Sequence, residues 1–376
     1  MLTKADDYPI HQTPEPVAFV GSERNFYDRF FFNGYQTDGS VFFGAALGVY
    51  PHLSIMDGAF TVAHEGVQHS LRVSRHMMGE RMDTQVGPLS VEIVEPLKTL
   101  RVKVAANDHG VEADLTFQGR SPPLEEPRQR AVTGARTTMD LTRMTQNGRW
   151  SGWISVQGQR IEISPQTVQG TRDRSWGVRQ VGMANPQKLL PHKPSQAFWL
   201  WAPLHMSDRE ILFYGMENAH GEPLVQGAQI SRPGGGEPEH MADAFAELRF
   251  TPGTREIAHA ALRLVRRRGQ GEIRVDLAPR RAARLFLNGL GYGHPEWGHG
   301  FDKGELAIGY DTQIPAEIIV HAAPFQHAQF AHFQAVTEAT ATFPDGLVLK
   351  GQGVLEQIVL GDHAPSGLTG LLDPKQ

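Results

Sequence analysis

The chain has 376 residues, of which 40% are hydrophobic and 20% are charged, and its formal net charge at pH 7 is -5. This composition is typical of a soluble globular protein that is long enough for two domains of ordinary size. The small negative charge argues against a nucleic-acid-binding protein, because nucleic-acid-binding domains are usually basic.

The absence of cysteine and of long apolar segments narrows the class of protein further. Without cysteine the chain can form no disulfide, no thiolate nucleophile and no cysteine-ligated metal site. Residues 1–16 are polar and acidic and lack the charged-then-apolar order of a signal peptide. No apolar run approaches the roughly 20 residues that cross a bilayer. We therefore expect a cytoplasmic protein without a membrane span.

Short strands joined by tight turns are predicted along the whole chain. Apolar residues alternate with polar ones on both sides of glycine-containing turns, which is typical of antiparallel hairpins with one buried face. In chain order, the predicted hairpins turn at residues 65–66, 107–110, 157–158, 219–221, 269–271 and 343–346. Helical periodicity is scarce, so the sequence predicts an all-β fold built as a sandwich or as barrels.

A proline-rich segment divides the chain into two parts of similar length. Residues 185–194 (Asn-Pro-Gln-Lys-Leu-Leu-Pro-His-Lys-Pro) contain three prolines, which favour an irregular connection over a strand. We interpret this segment as a crossing between two β domains, residues 1–190 and residues 191–376. The aromatic segment 198–201 (Phe-Trp-Leu-Trp) opens the second domain.

The densest group of charged residues lies in the segment 170–179. This segment, Gly-Thr-Arg-Asp-Arg-Ser-Trp-Gly-Val-Arg, holds three arginines, an aspartate and a tryptophan. If the segment forms a strand, one face carries Arg172, Arg174 and Trp176, and the other carries Asp173 and Ser175. Two interpretations are open: the arginines pair with Asp173 to join strands, or the same network lines a ligand cavity.

Further short motifs accompany the segment 170–179 along the chain. In chain order they are Phe42-Phe-Gly-Ala45, Val49-Tyr-Pro51, Asp57-Gly58, Asp140-Leu-Thr-Arg143, Gly148-Arg-Trp-Ser-Gly-Trp153, Phe198-Trp-Leu-Trp201 and Gly291-Tyr-Gly-His-Pro-Glu-Trp-Gly-His-Gly300. Together these motifs resemble the signature of the AttH-like family related to hydroxyneurosporene synthase, a carotenoid hydratase. The resemblance covers residues 26–361, and the segment 170–179 is its most specific part.

The resemblance implies two lipocalin-like antiparallel β-barrels packed together. Members of this family include enzymes that hydrate an isolated alkene of a lipid-like isoprenoid without a redox cofactor. Related two-barrel proteins are linked to cyclisation, isoflavonoid hydration and cycloaddition. The resemblance therefore implies a fold and leaves the reaction open between these classes.

Two carboxyl groups are candidates for acid–base chemistry. Alkene hydration or elimination needs a proton donor, a group that orients water or accepts a proton, and a dry pocket. Burial in an apolar barrel raises the pKa of a carboxyl and suits it to act as an acid near neutral pH. Glu217, close to Trp199 on a neighbouring predicted strand, is the preferred acid, and Asp173 is the second carboxyl. Tyr214 shares the predicted strand of Glu217 but faces the opposite way.

A glycine-rich loop holds a second cluster of candidates, His294, Glu296, Trp297 and His299. A loop histidine that titrates near neutral pH suits proton transfer, and His299 is the candidate for that role. The two histidines and Glu296 could instead bind zinc or iron, although their spacing differs from a helical His-Glu-x-x-His motif. Three later histidines without ligand-like spacing are interpreted as core or surface residues: His321, His327 and His332.

The leading hypothesis is a cofactor-independent lyase, a hydratase or related elimination enzyme. Its partner would be a hydrophobic isoprenoid or aromatic small molecule, held in a barrel or between the barrels. The catalytic candidates are Glu217, His299, Tyr214 and Asp173. The residues expected to bind the substrate are Arg172, Trp176, Arg179, Trp199, His294, Glu296 and Trp297. The alternatives are a non-catalytic carrier of hydrophobic ligands and a metal-dependent enzyme built on the glycine-rich loop.

Overall fold

The computed structural model describes the following residues: 2–3, 5, 10–184, 196–319 and 325–373. Within these ranges the regular structure is β-strand apart from short 3-10 turns, and the paired strands run antiparallel. The predicted all-β class is therefore confirmed. The proline-rich segment 185–194, with the predicted domain boundary inside it, lies outside the described part of the chain.

Twelve strands precede the proline-rich segment in the described residues. They are β1 (Phe26–Gln36), β2 (Val41–Tyr50), β3 (Ile55–His64), β4 (Val67–His76), β5 (Gln85–Val86), β6 (Leu89–Glu95), β7 (Thr99–Val104), β8 (Val111–Gly119), β9 (Leu124–Thr133), β10 (Arg136–Val156), β11 (Gln159–Ile163) and β12 (Val168–Arg179). A 3-10 turn, Pro51–Leu53, joins β2 to β3.

The strands that follow it are β13 (Ala197–Met206), β14 (Glu210–Glu217), β15 (Pro223–Ser231), β16 (Glu239–His240), β17 (Asp243–Phe250), β18 (Ile257–Val265), β19 (Glu272–Phe286), β20 (Leu306–Gln313), β21 (His332–Thr342) and β22 (Val348–Leu360). The 3-10 turns of this part are Arg267–Gly269, Leu287–Leu290, Pro315–Glu317, Phe325–Phe330 and Ala364–Ser366.

These strands form two sheets in the described residues. The first has 13 strands, in the order β20-β4-β3-β2-β1-β12-β10-β8-β7-β6-β5, with β9 and β11 paired to β10. The second has nine strands, in the order β16-β15-β14-β13-β22-β21-β19-β18-β17. The sheets curve into a nearly closed barrel and a half-barrel, which confirms the predicted two-barrel architecture. Because β20 pairs with β4, a late strand of the chain joins the edge of the first sheet.

The predicted hairpins are present, and local turn chemistry explains their register. The paired strands are β3 with β4, β7 with β8, β10 with β11, β14 with β15, β18 with β19, and β21 with β22. Glu65 and Gly66 have φ angles of 49° and 82°, and Gln157 and Gly158 have φ angles of 50° and 83°. Two successive positive φ angles give a turn whose twist matches that of the flanking strands.

An aromatic cluster fills part of the interior of the first sheet. The ring of Trp150 lies 5.7 Å from that of Phe32, 5.4 Å from that of Phe43 and 5.2 Å from that of Phe117, measured between centroids. The indole N–H of Trp150 donates to the carbonyl oxygen of Asn33 at 2.8 Å. Leaving this donor unpaired would cost about 1–3 kcal/mol. The interior of the first sheet is therefore packed with side chains where this cluster lies.

A third hydrophobic core, the interface core, lies between the two sheets. Alternation along β1 sends Phe30 and Phe32 into the first sheet's own core, whereas Phe31 enters the interface core. Alternation along β13 likewise sends Phe198 into the second sheet's core and Trp201 into the interface core. Strands that are apolar on both faces therefore hold the two sheets together. No helix in the described ranges combines the length and apolarity needed to cross a membrane.

Candidate functional site

A cavity of about 180 Å³ lies beside the interface core, between the two sheets. We call it the inter-sheet cavity. One part of its wall is aromatic and is formed by Tyr27, Phe31, Trp199, Trp201 and Tyr292. The first sheet contributes β1, β9, β10 and β12, and the second contributes β13, β14, β21 and β22. Each sheet alone would leave this wall open.

Strand alternation places Asp173 in the inter-sheet cavity. Asp173, Ser175 and Arg179 share one face of β12 and line the cavity. Arg172 lies on the opposite face and donates from Nε to Gln146 at 2.7 Å. The predicted division of the segment 170–179 into two faces is therefore present. Its odd-numbered face supplies three of the polar groups of the cavity.

Burial raises the pKa of Asp173 to about 7, and the negative charges of Glu126 and Glu356 act in the same direction, while Arg143 opposes them. The side chain of Asp173 is 14% exposed. Its carboxyl is therefore divided between the protonated and ionised forms near neutral pH. A group in that state can both give and take a proton.

Arg143 on β10 joins the acidic side chains on this side of the cavity. Its Nη1 donates to Glu126 at 3.3 Å, and its Nε lies 3.7 Å from a carboxyl oxygen of Asp173. The guanidinium carbon lies 5.1 Å from the ring centroid of Trp199. Nε has no hydrogen-bond partner among the described residues. Since Arg143 stays charged, it fixes the position of both carboxyl groups.

Glu356 lies on the second-sheet side of the cavity, within a network of donors. It accepts hydrogen bonds from Trp199 Nε1 at 2.9 Å and from Gln334 Nε2 at 2.6 Å, and His332 Nε2 lies 3.0 Å from it. Burial by itself raises the pKa of Glu356, but the charge and hydrogen bonds of His332 and Gln334 outweigh burial and hold the pKa below its ordinary value. The cavity thus holds two carboxyl groups whose pKa values are driven apart, an arrangement that assigns acid and base roles.

Arg179 and its supporting residues close another side of the cavity. The guanidinium lies 4.5 Å from the ring centroid of Tyr27 and 5.7 Å from that of Tyr292. Nη2 of Arg179 donates to Nδ1 of His299 at 2.9 Å, and Nε2 of His299 lies 3.1 Å from the carbonyl oxygen of Leu290. Burial and the nearby charges of arginines lower the pKa of His299 well below its ordinary value. His299 is therefore neutral, and both ring nitrogens have partners.

Two predicted catalytic residues, Glu217 and Tyr214, lie away from the wall of the inter-sheet cavity. Glu217 is at the end of β14, where its carboxylate lies 2.8 Å from Nε2 of His363. The ring of His363 stacks on Phe198 with 3.7 Å between centroids. Tyr214 is buried in the interface core. The neighbouring residue of that core on the same face, Met216, reaches the cavity.

The predicted residues of the glycine-rich loop do not converge. Nδ1 of His294 accepts the backbone N–H groups of Glu296 and Trp297, each at 3.1 Å, while the Glu296 side chain is exposed. The Trp297 ring contacts Lys303, whose Nζ lies 4.9 Å from its centroid. In the described ranges no group of three or more histidine, cysteine, aspartate or glutamate side chains is placed to hold a metal ion. His294 therefore serves to hold the loop's backbone.

Of the residues predicted to bind a substrate, Arg179 and Trp199 line the inter-sheet cavity, and Arg172 and Trp176 do not. Trp176 is 40% exposed. His332, which the sequence interpretation treated as a core or surface residue, lines the cavity. His321 and the side chain of His327 lie outside the described residues.

Sequence reasoning missed four residues of the network: Glu126, Arg143, Tyr292 and Glu356. Arg143 and Tyr292 are part of the motifs that carry the family resemblance, but no role followed from their types alone. Glu356 had a usable signal, since it is the one charged residue of the mostly apolar strand segment 354–359 (Val-Leu-Glu-Gln-Ile-Val). A charged residue in such a strand is buried only where partners compensate its charge.

Comparison with solved structures identifies the fold. A candidate AttH protein from Nitrosomonas europaea superposes with a TM-score of 0.54 at 13% sequence identity, covering 93% of this chain and 98% of that one. Kievitone hydratase from Nectria haematococca gives a TM-score of 0.46 at 11% identity, with 88% of each chain covered. The first of these likenesses confirms the AttH-like resemblance at the level of the fold.

Sequence comparison gives the family. No curated protein matches the chain. A family model described as "Family of unknown function (DUF8625)" matches residues 2–369. This match covers nearly the whole chain, including both sheets and all the residues of the inter-sheet cavity. The chain belongs to the DUF8625 family.

Proposed function

We propose that this protein is a lyase, a hydratase or a related elimination enzyme, that acts by acid–base catalysis on a hydrophobic small molecule in the inter-sheet cavity. The observation that carries the proposal is the pair of carboxyl groups in this cavity. Asp173 titrates near pH 7, whereas His332 and Gln334 hold Glu356 in its ionised form. An acid and a base that face one aromatic pocket are the groups that adding or removing water requires.

In the hydration direction, Asp173 is the proton donor. The electron pair of the substrate's double bond forms a new C–H bond with the Asp173 proton, and positive charge develops on the neighbouring carbon. The faces of Trp199 and Tyr292 and the carboxylate of Glu356 stabilise that charge. A water molecule then attacks the carbon and gives a proton to the pair formed by Glu356 and His332. Elimination follows the same steps in reverse.

The remaining polar groups of the cavity suit substrate orientation. Arg179 presents its guanidinium between two tyrosine rings and is held in place by His299. It would bind an oxygen substituent of the substrate. Arg143 pairs with Glu126 and opposes the rise that burial causes in the pKa of Asp173. In this proposal His299 positions Arg179, and proton transfer belongs to Asp173, because Glu217 lies outside the cavity wall.

The test is incorporation of heavy oxygen from labelled water. A panel of isoprenoid alkenes, prenylated phenols and their hydrated alcohols is incubated with the protein, and products and recovered substrates are analysed by mass spectrometry. We expect labelled alcohol from one substrate class, and we expect Asp173→Asn to lower its rate by roughly 100-fold or more, as for loss of a general acid. An unlabelled ligand recovered in stoichiometric amount would instead support a carrier.

Glu217→Gln is the matched control, since it neutralises another partly buried carboxyl without touching the cavity wall. The variant should keep the rate of the unaltered protein. Full activity of Asp173→Asn, with thermal unfolding showing a folded protein, would contradict the proposal. So would loss of activity in Glu217→Gln alone.

A further inference from the structure

Gln129 is a polar side chain of the inter-sheet cavity that the proposed mechanism does not use. It lies on β9, lines the cavity and is 5% exposed. Among the described residues its amide nitrogen, Nε2, has no hydrogen-bond partner. A buried polar group without a partner destabilises the folded state, and such groups are rare in folded proteins. An unpaired amide in the wall of a cavity is therefore a candidate for ligand recognition.

Two glutamines that are buried away from the inter-sheet cavity are paired. Nε2 of Gln68 donates to the carbonyl oxygen of Phe286 at 2.8 Å, and its Oε1 accepts the backbone N–H of the same residue at 2.9 Å. Nε2 of Gln357 donates to the carbonyl oxygen of Arg255 at 2.8 Å. Where these glutamines are buried, the neighbouring backbone supplies their partners. Gln129 lacks such a partner at the wall of a cavity, where a ligand can supply one.

A bulge in β9 turns Gln129 towards the cavity. Between the cross-strand pairs of Glu126 and Gln129, β9 has one residue more than β10. In a regular strand these two side chains would point to opposite faces. The extra residue brings both of them to the buried face, and Pro127 and Arg128 between them are exposed. Bulges re-aim side chains in this way and are common beside active sites.

Gln129 and Arg179 mark two separate polar points of the cavity. Gln129 is on β9 and Arg179 is on β12, and β10 pairs with both strands and lies between them. Since neighbouring strands are about 4.8 Å apart, the outer two strands are roughly 10 Å apart. The cavity volume of about 180 Å³ is slightly larger than that of a cavity of roughly 150 Å³ that binds benzene in another protein. A molecule of single-ring size can therefore reach both points.

We propose that Gln129 determines specificity, and that the ligand of the inter-sheet cavity is a molecule of single-ring size with a neutral oxygen, a carbonyl or a hydroxyl, at each end. One oxygen binds Arg179, as in the proposed function, on which this inference rests, and the other binds the amide of Gln129. An amide can donate to a carbonyl and can both donate to and accept from a hydroxyl. A hydrocarbon would leave the amide unpaired, so the site rejects it.

The binding test uses three probes of similar shape in isothermal titration calorimetry of the full-length protein. Para-hydroxybenzylacetone has a phenol hydroxyl at one end and a ketone at the other, benzylacetone lacks the hydroxyl, and para-butylphenol lacks the ketone. Loss of either oxygen should weaken binding about tenfold, as for one lost hydrogen bond. In Gln129→Leu one of the two oxygens should no longer contribute. Because binding needs no turnover, a protein that lacks the proposed lyase activity would still show this pattern.

Thermal unfolding without a ligand is the second measurement. Gln129→Leu removes a buried, unpaired amide, so its melting temperature should rise by about 2–4 °C. Gln68→Leu is the matched control: the same substitution of a paired glutamine should lower the melting temperature and leave the binding pattern of the probes unchanged. Equal binding or no binding of the three probes, an unchanged pattern in Gln129→Leu, or a lower melting temperature of that variant would overturn the proposal.

Discussion

Among the described residues of the second sheet and its flanking turns, two carboxylate–histidine pairs are 3.0 Å apart or closer, and one of these two lines the inter-sheet cavity. Glu356 and His332 are 3.0 Å apart and face the inter-sheet cavity together with Asp173. Glu217 and His363 are 2.8 Å apart, but His363 is stacked on Phe198, and its other ring nitrogen lies 2.8 Å from Oγ of Ser366. The distances are alike, and the surroundings are not.

The comparison teaches that a hydrogen-bonded carboxylate and histidine do not by themselves make a site. The pair formed by Glu217 and His363 has its polar atoms satisfied by neighbours, so it ties the end of β14 to the turn after β22. The pair formed by Glu356 and His332 faces a second carboxyl group across open space. What distinguishes the regions is therefore Asp173, a group that the protein holds near its titration point.

The largest expected effect comes from removing the charge that joins the acids of the cavity. Arg143→Met removes the guanidinium that pairs with the buried carboxylate of Glu126. The substitution should lower the free energy of unfolding by about 3–5 kcal/mol. Chemical denaturation measures the change. Arg101→Met is the control, because Arg101 forms a similar bidentate pair with Asp114 on the surface and should change stability by about 0–1 kcal/mol. Equal effects would show that the cavity charges are solvated.

A smaller effect on the stability of the folded protein should appear when the pH is changed. The folded pKa of Asp173, about 7, is raised above the ordinary value. Between those two values the folded state therefore binds more protons than the unfolded state, and stability falls as pH rises. The loss amounts to at most about 1.4 kcal/mol per pH unit for one group. Burial also raises the pKa of Glu210 to about 7, so Asp173→Asn should reduce this slope between pH 5 and pH 7 and leave the part that Glu210 contributes. Glu217→Gln should leave the slope unchanged.

Thermal unfolding across that range measures the slope for the unaltered protein and both variants. If Asp173→Asn keeps the full slope, another group is responsible, and Asp173 is ionised throughout. The catalytic proposal would then lose its acid. If Glu217→Gln removes the slope, the roles of the two carboxylate–histidine regions are reversed.

The fold was predictable because its signals are local. A turn such as 65–66 carries its own conformational preference, and the alternation on both sides sets the register of β3 and β4. The two faces of the segment 170–179 followed from the same period of two. The edge position of β20 had no such signal, because its partner, β4, is far away in the sequence.

The candidate site was predictable only where one strand was enough to define it. Asp173 and Arg179 lie on one face of β12, and both reach the cavity. The choice of Glu217 depended on which face of β14 meets the first sheet, and sheet packing decides that. His299 was expected to titrate near pH 7. Burial beside two arginines lowers its pKa and keeps the ring uncharged. No spacing in the sequence specifies that burial.

The smallest expected effect tests the structural role of the pair formed by Glu217 and His363. Glu217→Gln keeps an acceptor for His363 but loses the charge, so the free energy of unfolding should fall by about 0.5–1.5 kcal/mol. Because the side chain of Glu217 is 27% exposed, water replaces part of the lost interaction. Chemical denaturation measures this change, and Glu222→Gln at the neighbouring turn is a control that should have less effect. A loss as large as that of Arg143→Met would mean that the charges at the end of β14 are as poorly solvated as those of the inter-sheet cavity, and the contrast between the two regions would disappear.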